Sequence, residues 1–199
     1  MAIKFQYNKT YLQQLNRELK VRENALPTLV AKESALRVEV AKAKEATHEL
    51  EAKISKEHEA LAATNRLWLE MPEGLVKIGK VDVNVRKIAG VKTPVLDKVS
   101  FNISRYSLLT EPAWIPEGVE ILKRFAELKI TLELAKKKVS ILEFARKKTT
   151  QKVNLYEKVQ IPEYKEAVRK IKRYMEDEDN LAKSSQKILK VKIAAEAAA

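Results

Sequence analysis

Cysteine is absent from this 199-residue chain, and glycine and proline are scarce at four and six residues. Without thiols there are no disulfides and no thiolate metal sites, a usage that fits a reducing compartment. Aromatic residues make up only 6%. Long apolar runs are missing too, and none approaches the roughly 18–20 residues that a spanning helix needs. The opening MAIKFQYNKTYLQQL is interrupted by polar residues before it reaches the apolar core length of a secretion signal. These absences predict a cytoplasmic protein without membrane insertion. Asn8-Lys9-Thr10 and Asn102-Ile103-Ser104 match the glycosylation pattern, but with no secretory route they carry no weight.

What is present is charge, at 33% of residues, and an excess of Ala, Leu, Glu, Lys and Arg. A chain rich in helix formers and poor in turn formers reads as long helices with a continuous buried seam. The balance of 39 Lys+Arg against 27 Asp+Glu gives a formal charge of +12, which favours anionic partners without choosing among them.

Three segments follow, at residues 1–71, 72–116 and 117–199. In the first, apolar residues fall at alternating three- and four-residue steps: Leu12, Leu15, Leu19, Leu26, Leu29, Leu36, Val40, Ala43, Leu50, Ile54, Leu61 and Trp68. Arg22, Glu33, Thr47, Glu57 and Thr64 share that grid. A 3.5-residue spacing held this long predicts a left-handed coiled coil, with Thr10 as N-cap and a kink or interruption at Pro27. The third segment keeps the rhythm through Ile121, Phe125, Leu128, Leu132, Ala135, Val139 and Leu142. Arg146 and Thr149 interrupt it, and Val153 and Tyr156 resume it. From Ile161 the grid runs one residue out of phase through Tyr164, Val168, Ile171 and Met175, next to Pro162, which predicts a local kink. The alanine-rich tail has nothing to anchor it.

The middle segment is of another kind. Val81, Val83 and Val85 alternate with Asp82, Asn84 and Arg86, and Val99, Phe101 and Ile103 alternate with Ser100, Asn102 and Ser104. Strict alternation of this sort marks half-buried strands. Gly90 and Thr93-Pro94 lie between the runs, which predicts a hairpin with a longer loop. Trp114, between Pro112 and Pro116, is expected to pin the segment to the coil. Two exposed seams joined by a small module bury each other by folding back. The expected fold is mainly α, a long antiparallel two-helix coiled coil with a β-hairpin insertion, both termini at one end.

Little here resembles catalysis. Gly74 to Lys80 has the glycine and lysine spacing of a phosphate loop, but Val81 stands where Ser or Thr should hold magnesium, and a helix precedes the motif where a strand should. It reads as a turn into the hairpin. His48 and His58 are ten residues apart on one helix and cannot share a compact metal site. Glu176-Asp177-Glu178-Asp179 lacks the spaced ligands of a calcium loop and reads as a solvated face. No catalytic, cofactor or metal residues are expected. Basic residues are spread along the chain without an RNA-binding or basic-zipper layout. By composition, a nucleic-acid-associated structural coiled coil stays open, as does a chaperone-like one.

The stretch Gln151-Lys152-Val153-Asn154-Leu155-Tyr156-Glu157-Lys158-Val159-Gln160-Ile161-Pro162 sharpens this. It resembles the basic-Val-Asn-Ala-Leu-Glu-x-x-x-Ile-Pro stretch of the D subunit of V/A-type rotary ATPases. Asn8-Lys9-Thr10 resembles that family's Asn-Pro-Thr start, with Lys9 in place of proline, and Leu155-Tyr156 replaces the usual Ala-Leu. The resemblance spans nearly the whole chain and is weakest over 72–116. It implies a non-catalytic central rotor axle on the cytoplasmic side of the membrane. The implied partners are the A and B subunits of the catalytic ring, the small F subunit, and the funnel-like C/d subunit above the membrane ring. No direct contact with nucleic acid or insertion in the membrane is implied. Lys20, Arg169, Arg173 and Met175 are then candidates for a tip that meets the catalytic head.

Overall fold

The computed structural model describes residues 6–62, 65–107 and 112–197. The elements are α1 (Lys9–Ala62), α2 (Asn65–Trp68), β1 (Val76–Ile88), β2 (Val91–Ile103), α3 (Ile115–Leu155), a π-helical segment (Tyr156–Gln160) and α4 (Ile161–Ala197). The chain is thus mainly helical, with an antiparallel two-stranded hairpin between long helices, as the residue pattern predicts. Contacts divide it into two compact units, residues 1–31 with 149–199, and residues 32–148.

In the first unit, Leu15, Ala167, Val168 and Ile171 are buried together, with Tyr11, Leu12, Tyr164 and Met175 packed against them. The pairing is antiparallel: as α1 advances from Glu18 to Arg22, its partners retreat from Tyr164 to Gln160. The cap lies elsewhere than expected. Asn8 is the N-cap, its side-chain oxygen accepting from the Tyr11 backbone N–H at 2.7 Å, and Thr10 stands inside the helix. Asn at this position satisfies one of the orphan donors of the first turn. Pro27 lies within α1, which runs helical through it; the Thr28 hydroxyl donates to the Ala25 carbonyl beside it.

The second unit has two cores. Leu36, Val40, Ala43 and Leu142 are buried between α1 and α3, and Ile88, Ala89 and Val91 from the hairpin turn pack on them with Val139 and Ala145. Leu75, Ile115 and Val119 are buried where the hairpin base meets α3, and Met71, Val76, Tyr106 and Trp114 pack there. Lys44 pairs with Glu143 at 2.6 Å and Lys136 with Glu51 at 2.8 Å, again an antiparallel order. Pro116 occupies the first turn of α3, where the missing N–H costs nothing. Trp114 lies over Gly118, 5.4 Å from the Trp68 ring in an edge-to-face contact.

The hairpin differs from expectation at its turn. The strands extend until only Ala89 and Gly90 separate them, both at positive φ (48° and 79°), so the loop has two residues. Positive φ at both positions is the conformation whose twist matches a right-handed strand pair. Thr93 and Pro94 lie in β2, paired with Arg86 and Val85. Counting from the Ile88–Val91 pair at the turn, Val85–Pro94 is a non-hydrogen-bonded pair, so the proline removes no ladder bond. Thr93 is buried and donates its hydroxyl to the Arg86 carbonyl at 2.9 Å.

Candidate functional site

The residues singled out from the sequence fall into distinct settings. Leu15, Leu36, Val40 and Leu142 are buried, and Leu19, Leu50, Ile54, Leu61, Leu128, Leu132, Val139 and Val153 are half-buried. Polar grid positions vary: Thr149 is buried, Arg22, Glu33, Thr47 and Arg146 are half-buried, and Glu57 is exposed; Thr64 lies outside the described residues. Thr47 is accommodated by donating its hydroxyl to the Ala43 carbonyl one turn back.

In the segment resembling the family stretch, Val153 is half-buried, Asn154, Glu157 and Pro162 are exposed, and Ile161 is buried. The phase slip seen in the sequence takes the form of a π turn. The Ile161 backbone N–H reaches the Tyr156 carbonyl, five residues back rather than four. A π turn takes up one extra residue, so the apolar faces before and after it stay aligned. The chain continues directly from α3 through this turn into α4.

The π turn also presents a polar cluster to α1. Gln160 accepts from the Arg22 guanidinium at 3.0 Å. Arg22 donates to the Glu18 carbonyl and carboxylate, and its guanidinium stacks 4.3 Å from the Tyr164 ring centroid. Tyr164 closes the circuit by donating its hydroxyl to Glu18 at 2.7 Å. The Tyr164 hydrogen bond chiefly holds the Glu18 carboxyl below its ordinary value, helped by Gln14 and by Arg22. Burial, then the bond to Glu18, pushes the Tyr164 phenol up. The planar guanidinium serves stacking and hydrogen bonding at once, which a lysine at position 22 could not. Lys165 to Glu23, at 2.9 Å, flanks the cluster on its exposed side. Arg22 and Tyr164 stand on the seam that the sequence predicts, whereas Glu18 and Gln160 do not; the one-residue slip at Ile161 marks an irregularity here without telling a kink from a π turn.

Of the candidate tip residues, Lys20, Arg169 and Arg173 are exposed, and Met175 is half-buried against the Leu15 cluster. Lys165, Arg169, Lys172 and Arg173 line a shallow groove with Val168 and Glu176, a basic face with one acid in it. Tyr7 lies against Tyr174, the two rings tilted by 44° with centroids 4.6 Å apart. Past Met175 every residue from Glu176 to Glu196 is exposed, the Glu176–Asp179 run included.

The glycine-lysine stretch is built as hairpin. Gly74 takes a positive φ in the turn before β1, while Gly79 and Lys80 lie within β1. The Lys80 backbone N–H donates to Ser100 Oγ at 2.7 Å, and its ammonium pairs with Asp82 at 2.6 Å. Its backbone N–H and its ammonium thus both serve the hairpin. His58 lies beside Phe125, and among the described residues no group of three or more His, Asp or Glu is placed to hold a metal ion. Among the same residues no helix is long and apolar enough to cross a membrane.

Comparison with known proteins fits this architecture. The family model for the ATP synthase D subunit matches residues 11–191. The V-type ATP synthase D subunit of Borreliella burgdorferi is 32% identical over 189 residues, covering 94% of each chain. The corresponding protein of Chlamydia felis is 32% identical over 177 residues, 86% of this chain and 85% of its own. That of Chlamydia pneumoniae is 27% identical over 198 residues, 97% and 95% of the two chains. A match of this extent, on a helix–hairpin–helix fold, makes the chain a member of the family of ATP synthase D subunits and a component of a V-type ATP synthase.

Proposed function

We propose that this chain is the central rotor axle of its V-type ATP synthase. It carries no nucleotide chemistry of its own and couples ion-driven rotation of the membrane ring to ATP synthesis or hydrolysis in the ring of A and B subunits. It acts peripherally, on the cytoplasmic side, held by the small F subunit and the C/d funnel. The observation that carries the reading is the end of α4. Beyond Met175 no helix among the described residues packs against it, yet Leu181, Ile188, Leu189, Val191 and Ile193 are all exposed among Lys183, Lys187, Lys190 and Lys192. A long run of exposed apolar residues on a charged helix calls for a surrounding partner. A sleeve of catalytic subunits would supply one.

Rotation couples to catalysis when an asymmetric axle stabilises one catalytic pair over its neighbours at each angle. The Glu18–Arg22–Gln160–Tyr164 cluster supports such a role by fixing the register of α1 against the π turn and α4, so twist applied to one helix reaches the other. Single cysteines test the reading cleanly in this cysteine-free chain. In the assembled complex, probes at Lys20 and Arg173 are expected to crosslink to A or B subunits, and a probe at Asn84 to subunits on the membrane side. The reverse pattern overturns the assignment.

A further inference from the structure

The hairpin carries an apolar strip whose β1 side is exposed. Register pairs Ile78 with Phe101, Val81 with Val99, Val83 with Leu96 and Val85 with Pro94. A bulge on each strand, between Ile78 and Val81 on β1 and between Val99 and Leu96 on β2, keeps these pairs on one face. The alternation of the sequence predicts a half-buried face here; Pro94, Leu96, Val99 and Phe101 on β2 are half-buried, but Ile78, Val81, Val83 and Val85 on β1 are 53%, 36%, 41% and 65% exposed. The hairpin is fastened near its turn, by Ile88, Ala89 and Val91, and near its base, by Leu75 and Val76. Neither of the buried clusters at the two ends includes a residue of the strip between.

At the turn end the strip terminates in Lys87 and Lys92, directly paired across the strands. In the alternation set by the turn they form a non-hydrogen-bonded pair, the arrangement that brings side chains closest. Like charges there are mutually unfavourable. Among the described residues neither lysine has an ion-pair partner, and the hairpin's one internal ion pair is Lys80 with Asp82. An apolar ladder that spans eight residues on each strand, roughly 26 Å, thus ends in two uncompensated cations.

The geometry points to a docking strip for an acidic amphipathic segment of another subunit of the same complex, its apolar side chains along Ile78–Val85 and a carboxylate between Lys87 and Lys92. A second copy of this chain fits poorly, since two chains of formal charge +12 repel. Charge confined to one end also sets the direction in which the segment lies, because the reversed segment leaves its acid over valines. The inference rests on membership in the complex and stands apart from the axle reading.

The test uses the assembled complex with Val83→Cys carrying a benzophenone photoprobe, and identifies the captured peptide by mass spectrometry. The expected capture is a peptide of another subunit with periodic apolar residues and at least two acids. K87E/K92E should lower the yield by more than about tenfold, as two rim attractions become repulsions, with K87Q/K92Q intermediate. Circular dichroism and unchanged capture by the Lys20 and Arg173 probes report intact folding and assembly. If only the tip probes fail, the axle reading falls and the strip stands. Capture of a second copy, of lipid, or of nothing, or a yield that ignores the charge reversal in folded protein, overturns the strip.

Discussion

Tyr164 on α4 donates its hydroxyl to Glu18 on α1 at 2.7 Å, while the Arg22 guanidinium lies over the same tyrosine ring. One aromatic side chain therefore carries a hydrogen bond at its tip and a cation on its face, both to α1. The opposing shifts of the two groups define a pH window. Glu18 is lowered, so its contribution is present above the ordinary carboxylate value of 4.5 and is lost as pH falls through its folded-state value. Tyr164 is raised, so its contribution is present below the ordinary phenol value of 10.0 and is lost as pH rises through its folded-state value. Tyr164→Phe should cost about 1 kcal/mol at pH 7, below the usual range for a bond to a charged group because Glu18 is only half-buried. Urea unfolding at pH 7 and pH 3 should show that difference shrinking at the lower pH. An equal loss at both would mean the hydroxyl acts through packing.

The π turn makes a prediction that an ordinary helix would not. Deleting Val159, which is exposed, should convert Tyr156–Gln160 to regular helix while keeping half-buried Val153 and buried Ile161 on one face. Stability should change by less than about 1 kcal/mol, as for an exposed site. Deleting Lys137 in α3 removes one residue where there is no surplus and rotates the seam beyond it out of register by about 100°. That deletion should cost several kcal/mol, since Leu142 would leave its buried position. Paired urea titrations decide it. If both deletions destabilise equally, the turn is not a phase correction.

Most of the helical architecture was legible because a 3.5-residue repeat needs only apolar identity and spacing, and Leu15, Leu36, Val40 and Leu142 show both. Asn8 and Thr10 are each competent caps two residues apart, and only the bond from Tyr11 decides between them. Thr93-Pro94 looks like a loop until strand register places Pro94 where no ladder N–H is needed. The slip at Ile161 was visible, but a kink and a π turn leave the same mark on a helical grid. Of the polar cluster, Arg22 and Tyr164 were readable as seam positions. Glu18 and Gln160 were not, because their roles depend on how far each side chain reaches across the pair.

Gly118 tests how tightly the hairpin base is packed. A Cβ there would lie 2.6 Å from Trp114 Cζ3 and 3.0 Å from Cε3, closer than side chains tolerate. Gly118→Ala gains about 1 kcal/mol in helix propensity. Displacing an indole wedged between Trp68, Ile115 and Val119 should cost more, about 1–3 kcal/mol for overpacking. The expected net result is modest destabilisation with a red-shifted tryptophan emission as Trp114 moves toward solvent. A more stable protein with unchanged emission would show that Trp114 has room to shift.

The end of α4 should separate folding from function. Truncation after Glu176 keeps Met175 on the Leu15 cluster and Tyr174 on Tyr7, so every buried contact of the terminal unit survives. The residues removed are all exposed in the described part, and their apolar side chains contribute nothing to the isolated fold. The melting temperature of the purified chain should therefore be unchanged, with helical signal lost only in proportion to the residues removed. If Leu181 to Ile193 meet the catalytic sleeve, the same truncation should leave binding to the small F subunit intact and lower the ATP made per unit of ion gradient. A shorter truncation after Ile193 removes only Ala and Glu residues and should do neither. Coupling measured in vesicles reconstituted with each form decides the matter: full coupling by the protein ending at Glu176 would remove α4 from the path of torque.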